Sequence, residues 1–195
     1  MDVNAAHRRE NIILNAIDLI HEYGIHSVST KEIAKRLGVS EGTIFKHFPK
    51  KSALLLAVLE HLCLYDNDMY YTAKNKKSNP KEAILFYINS YMIYYQNYPA
   101  ITALLQVYDV LQGIPELGEK AKSIFFTRLG FMKDLIEEAQ EAGEISRNID
   151  SESLADIITS TCRGICLRWR LENFEFSLHE KVIQAVSTLL DTFSI

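Results

Sequence analysis

Cysteine is scarce: the 195 residues hold three, Cys63, Cys162 and Cys166. An odd number without paired spacing excludes a disulfide framework and fits a reducing compartment. Glycine and proline are also few, at 8 and 4, and neither Asn-Gly nor Asp-Gly occurs, which removes the strongest hairpin signal and speaks against a β fold. No apolar run approaches the roughly 20 residues of a membrane span. The first nine residues lack the apolar core of a signal peptide, so a soluble, cytoplasmic protein with no membrane association is expected. There is no glycine-rich phosphate loop, no nucleophile elbow and no cluster of His, Asp and Glu at metal-ligand spacing. Cys63, Ser160 and others are candidate nucleophiles, but with none of these motifs present neither catalysis nor a cofactor or metal is expected.

Cys162 and Cys166 lie four apart, which on a helix puts both thiols on one face, where they could bind a metal or oxidise. No histidine stands near to complete a site, and the simpler reading is a pair of small buried apolar side chains. Net charge is -4. Residues 1–52 carry eight Lys/Arg against six Asp/Glu, or +2, and the rest carries thirteen against nineteen, or -6. A mildly basic tip on an acidic body suits a protein that presents one end to nucleic acid.

Apolar residues recur at three and four along most of the chain, which predicts an all-α protein of about nine helices. Ile13, Ala16, Ile17 and Ile20 form a stripe on a first helix from about Ala5 to Tyr23, stopped at Gly24. Ser29-Thr30-Lys31-Glu32 reads as a capping box. The short helix it opens buries Ile33, Ala34 and Leu37 and breaks at Gly38; Val39 plugs the turn, and Ser40 caps a third helix over 41–48. Pro49 ends that helix. A connecting helix then runs from Lys51 through Leu54, Val58, Leu62 and Tyr65 to a polar loop over 74–80. Further helices are expected at about 81–97, 100–112, 116–142, 151–171 and 178–193. The implied division is a three-helix module over 1–52 and a larger helical domain over 53–195.

Two short helices joined at Gly38-Val39-Ser40 make a helix-turn-helix, whose second helix can enter the major groove. The run from Thr30-Lys31-Glu32-Ile33-Ala34 through Gly38-Val39-Ser40-Glu41-Gly42-Thr43-Ile44-Phe45-Lys46-His47-Phe48, followed by Lys50-Lys51-Ser52-Ala53-Leu54-Leu55, resembles the amino-terminal domain of TetR-family repressors. The resemblance covers about the first 60 residues; beyond them it extends only to helix count, length and order. It implies a homodimer on a palindromic operator of double-stranded DNA, released by an inducer.

It also implies roles for individual residues. Thr30 corresponds to a threonine that donates to phosphate, as suits a helix amino terminus. Lys31 stands where a base or a phosphate is contacted, and both remain open. Ser40 is a cap with a phosphate within reach, Gly42 leaves room for close backbone approach, and Thr43 offers a hydroxyl and a methyl to the bases. Lys46 points to the groove or its wall, His47 corresponds to a phosphate-binding histidine, and Lys51 to a lysine on phosphate. Phe45 departs from the family's usual tyrosine, so ring packing survives without the phenolic phosphate contact. Ile44 and Phe48 are expected in the core.

In the larger domain Tyr87, Tyr91, Tyr94 and Tyr98 fall at spacings of four, three and four, stacking rings along one helix face. They either pack in the core or line a pocket for a hydrophobic or aromatic effector, together with Tyr108, Phe125, Phe126 and Trp169. Arg128 and Arg163 sit in apolar helices, where pairing with neighbouring carboxylates is favoured over holding an anionic ligand. Ile158, Cys162, Ile165 and Trp169 stripe one of the last two helices, and Val182, Val186, Leu189 and Phe193 the other. Monomer core explains both stripes, while the resemblance implies a dimer through these two helices, with half-sites about 34–36 Å apart or a multiple of that. An effector would act through the helix that follows the reading head. A DNA-binding adaptor controlled by a protein partner is the alternative.

Overall fold

The computed structural model describes residues 3–75 and 79–194. They form ten α-helices: α1 Val3–Tyr23, α2 Thr30–Leu37, α3 Glu41–His47, α4 Lys51–Leu62, α5 Asp66–Lys74, α6 Pro80–Asn97, α7 Tyr108–Leu111, α8 Pro115–Glu141, α9 Ser151–Leu171 and α10 Leu178–Thr192. Two 3₁₀ segments, Ile25–Ser27 and Pro99–Gln106, join them. Among the described residues the only β pairing is an isolated bridge between Ile145 and Ser194. The fold is all-α, and no described helix is long and apolar enough to cross a membrane.

Local sequence sets most of these boundaries. Side-chain oxygens of Ser29, Ser40, Asn79 and Asp150 accept from the amides of Glu32, Thr43, Lys81 and Ser153 and so start α2, α3, α6 and α9. Gly38 ends α2 in the left-handed conformation at φ 64°, a geometry that costs a side-chain-bearing residue energy. Between α9 and α10 the chain reverses through Asn173 and Phe174, both at positive φ. That turn is held by the Trp169 indole, which donates to the Phe176 carbonyl at 2.8 Å and meets the Phe174 ring edge-on.

Two expected helices are divided. The connecting helix stops at Leu62 and restarts at Asp66, where a bidentate pair with Arg128, 62 residues away, fixes the new helix start. The expected helix over 100–112 is a 3₁₀ segment followed by the single turn of α7. Ala100 to Leu105 are all buried, and the Thr102 hydroxyl turns back to the Pro99 carbonyl at 2.6 Å, a local bond that competes with α-helical pairing. Of the polar loop expected over 74–80, residues 76–78 lie outside the described residues.

The chain packs as two compact units, one of residues up to 64 with 99–124, the other of 65–98 with 125–195. A boundary after residue 52 does not coincide with this division. In the first unit α4 is apolar on most sides, burying Leu54, Leu55, Ala57, Val58, Leu59 and Leu62, and it packs with α1 and the 3₁₀ segment at 99–106. Ile12, Ile13, Ala16, Ile17, Leu19 and Ile20 of α1 are buried with them. In the second unit α10 packs on α6 and α9, and α5 on α6.

Candidate nucleic-acid interface and buried tyrosine cluster

In the first unit α2 and α3 pack on each other and α2 on α1. Ile33, Ala34, Ile44 and Phe48 are buried, so the side chains on the other faces of α2 and α3 stand outward. Arg36 clamps the module with a bidentate bond to Glu22 of α1, at 3.0 and 2.7 Å, and Arg9 lies over the Phe48 ring. These contacts fix the orientation of α3 before any partner is present, as a groove-reading helix requires.

Outward on the module stand Lys31, Ser40, Gly42, Phe45, Lys46 and Lys51, all exposed, with Thr30, Thr43 and His47 half-buried. A Cβ at Gly42 would meet nothing nearer than the Ser40 hydroxyl at 3.8 Å, so the protein's own packing does not require glycine there. Ser40 is committed to capping: its oxygen accepts from the Thr43 amide at 3.3 Å and lies 3.0 Å from the Thr43 hydroxyl. Phe45 projects its ring into solvent at 47% exposure. Lys50 pairs with Glu116 on the surface, whereas the neighbouring Lys51 opens α4.

One participant escaped the sequence reading. The Thr30 hydroxyl, expected on phosphate, donates to the carboxylate of Glu41, the first residue of α3. Glu41 thus joins the starts of α2 and α3 and places a negative charge among the residues expected to meet DNA. An acidic residue in the first turn of a helix is ordinary dipole chemistry, so sequence carried no signal for this pairing.

In the second unit the tyrosine stripe lies on α6. Tyr87 and Tyr91 are buried, at 3% and 7% exposure, as is Tyr95, which the spacing had not singled out. The Tyr87 and Tyr91 rings meet edge-to-face at 5.2 Å. The hydroxyl oxygens of Tyr87, Tyr91 and Tyr94 are buried and make no hydrogen bond of good geometry. Burial pushes all three phenols up, Tyr94 to about 12, so they remain neutral donors.

Arg128 is paired: Nε and Nη2 donate to Asp66 at 2.8 and 2.9 Å, Nη1 donates to the Tyr95 hydroxyl at 3.0 Å, and the guanidinium lies over the Tyr91 ring. Carboxylate pairing, the favoured expectation, holds for Arg128. Phe125 is half-buried beneath Arg163, and Phe126 is exposed. Tyr108 belongs to the first unit and the α6 stripe to the second. Trp169 is 2% exposed with its N–H committed to the turn, which makes it a structural residue of the α9–α10 reversal.

The stripes expected at a dimer interface are largely interior: Ile158, Cys162, Trp169, Val182 and Val186 are all buried within the unit. On α9 the exposed apolar residues are instead Ile157, Leu167 and Leu171. Cys162 and Cys166 are both buried, and burial pushes the Cys162 thiol up to about 12, which removes the thiolate needed for ready oxidation or metal binding.

Capped, pre-oriented and flanked by exposed cations, the α2–α3 pair defines the chain as an all-α helix-turn-helix regulator that binds DNA. Residues 12–58 match the family of bacterial regulatory proteins known as the tetR family. Residues 12–58 thus form a TetR-family regulatory domain. A nucleoid occlusion factor, SlmA of Glaesserella parasuis serovar 5, is 25% identical over 174 residues, covering 89% of this chain and 86% of that protein. The fatty acid degradation regulator FadR of Bacillus halodurans superposes with a TM-score of 0.82 at 22% identity, over 94% of each chain. FadR of Bacillus subtilis in complex with stearoyl-CoA superposes at 0.79 with 24% identity, over 93% of this chain and 96% of that one.

Proposed function

We propose that the protein is a cytoplasmic repressor that binds a palindromic operator as a homodimer and leaves it when a small hydrophobic or aromatic effector enters the second unit. The observation that carries the DNA half is the outward row on the helix-turn-helix. Lys31, Gly42, Phe45, Lys46 and Lys51 are exposed while Ile44 and Phe48 are sealed beneath them. In this reading Thr43 and Lys31 face base edges, and Thr30, Ser40, His47 and Lys51 the phosphates. The effector half rests on Tyr87, Tyr91 and Tyr94, with Arg128 over the Tyr91 ring, and on Phe125; the likeness to FadR, crystallised with stearoyl-CoA, supports an acyl-bearing effector. Dimerisation through α9 and α10 uses the outward face of α9, where Ile157, Leu167 and Leu171 flank Gly164. A Cβ at Gly164 would meet nothing within 4 Å, so a second helix can approach closely there.

Selection of bound duplexes from a random pool, followed by gel-shift titration at several salt concentrations, tests the reading. An inverted repeat should emerge. Thr43→Ala should weaken binding and alter sequence preference, whereas Lys51→Ala should weaken it for all sequences and lower the salt slope by about one. Failure to bind any duplex would refute the proposal. The relative named as a nucleoid occlusion factor favours a second reading, a DNA-bound adaptor controlled by a protein partner. Release of the operator by a small molecule alone decides for the first.

A further inference from the structure

We infer that the buried tyrosine cluster of the second unit takes an uncharged hydrogen-bond acceptor on the effector, such as an ester, thioester, ketone or amide carbonyl, in preference to a free carboxylate. The inference rests on the effector reading above and names the chemistry of that site.

Tyr87, Tyr91 and Tyr94 follow at four and three on α6 and therefore share a face. Their three hydroxyl oxygens are buried; those of Tyr87 and Tyr91 neighbour each other, but none of the three makes a hydrogen bond of good geometry, whereas buried polar groups in folded proteins are almost always satisfied. All three lie within electrostatic reach of the same pair, Arg128 and Asp66. They form a donor-rich patch around one centre, and what a neutral phenol O–H lacks there is an acceptor.

The sign of the acceptor follows from that centre. Arg128 is the cation a carboxylate would seek, but Asp66 takes it in a bidentate pair with side-chain exposures of 15% and 9%. Their sum is zero. An incoming carboxylate would lose its hydration without meeting a net positive charge, and it would be repelled by Asp66; a carbonyl dipole meets neither difficulty.

Methyl decanoate, decanoate and decane provide matched probes, measured by calorimetric titration of the full chain at neutral pH. Methyl decanoate should bind at least about tenfold tighter than decanoate. Tyr91→Phe and Tyr87→Phe, which keep the ring, should each weaken methyl decanoate by about fivefold to tenfold and leave decane unchanged. Asp66→Asn releases the Arg128 charge and should reverse the order, so that decanoate binds tighter than the ester. Should Asp66→Asn fail to fold by circular dichroism, the phenylalanine variants and the wild-type order decide. Decanoate binding as tightly as the ester to wild type, tyrosine variants that change all probes alike, or binding of none of them overturns the inference, the last meaning that the hydroxyls hold only water. A protein that binds its operator and releases it with some other ligand leaves the regulator reading intact in each case. A protein that binds no duplex fails that reading whatever the probes do.

Discussion

Removing the carboxylate of Asp66 takes from the buried Arg128 guanidinium the counter-charge that it holds in a bidentate pair. In Asp66→Ala two charge-assisted bonds of 2.8 and 2.9 Å vanish, while the Tyr95 hydroxyl at 3.0 Å still accepts from the guanidinium and the Tyr91 ring still lies against it. Breaking one partner of a buried pair costs about 3–5 kcal/mol. Arg128 keeps 15% side-chain exposure through which water can reach it, so the lower end, about 3 kcal/mol, is expected. Urea unfolding at fixed protein concentration, followed by far-ultraviolet circular dichroism, measures it. With a slope of roughly 1–3 kcal/mol per molar, the midpoint should fall by about 1–3 M. The double variant Asp66→Leu with Arg128→Met, apolar and of similar volume, should recover most of the loss, since the cost lies in the stranded charge and not in the missing attraction. A loss under about 1 kcal/mol for Asp66→Ala, or a double variant no more stable than the single, would mean that a stranded Arg128 charge is not the source of the cost.

Phe45→Tyr should tighten operator binding by up to about tenfold, because the exposed ring would gain a hydroxyl for a phosphate; gel-shift titration checks it, and unchanged affinity places Phe45 off the DNA wall. Glu41→Ala frees the Thr30 hydroxyl and removes a negative charge from the interface, so binding should strengthen severalfold at low salt, with the gain fading at high salt; weaker binding would instead make Glu41 a base reader. Trp169→Phe strands the Phe176 carbonyl and should cost about 1–3 kcal/mol in chemical denaturation. Burial lowers the His61 pKa from 6.5, against the opposing pull of Glu10. The unfolded chain therefore binds more protons than the folded one just below pH 6.5, and stability should fall as pH drops through that window. His61→Gln should flatten this dependence in urea midpoints measured between about pH 5 and 7.

The DNA-reading module was legible because its instructions are local. A cap satisfies amides within three residues of itself, and Gly38 adopts its φ for reasons of its own covalent structure, so Ser29, Gly38 and Ser40 mark α2 and α3 without knowledge of the rest. Burial of Ile44 and Phe48 was expected because so small a module cannot leave both exposed. The tyrosine stripe was equally visible as spacing, as was the demand of Arg128 for a carboxylate.

Which carboxylate answers that demand was a tertiary matter. Asp66 lies 62 residues from Arg128, and no periodic pattern relates residues on different helices. Their pairing restarts the helix at Asp66, where the sequence alone predicts one continuous helix. The 3₁₀ path of Pro99–Gln106 was hidden for a similar reason: a fully apolar segment takes whatever path its buried neighbours leave. On α9 the stripe of Ile158, Cys162, Ile165 and Trp169 fitted either a monomer core or a dimer interface, and only packing against α10 decided that Ile158, Cys162 and Trp169 are interior. An all-α chain with a TetR-type reading head was thus readable from caps, turns and periodicity, which act within a few residues. The tertiary structure alone decided the partner of Arg128, the engagement of Thr30 by Glu41 and the faces left outward, because those depend on contacts between residues distant along the chain.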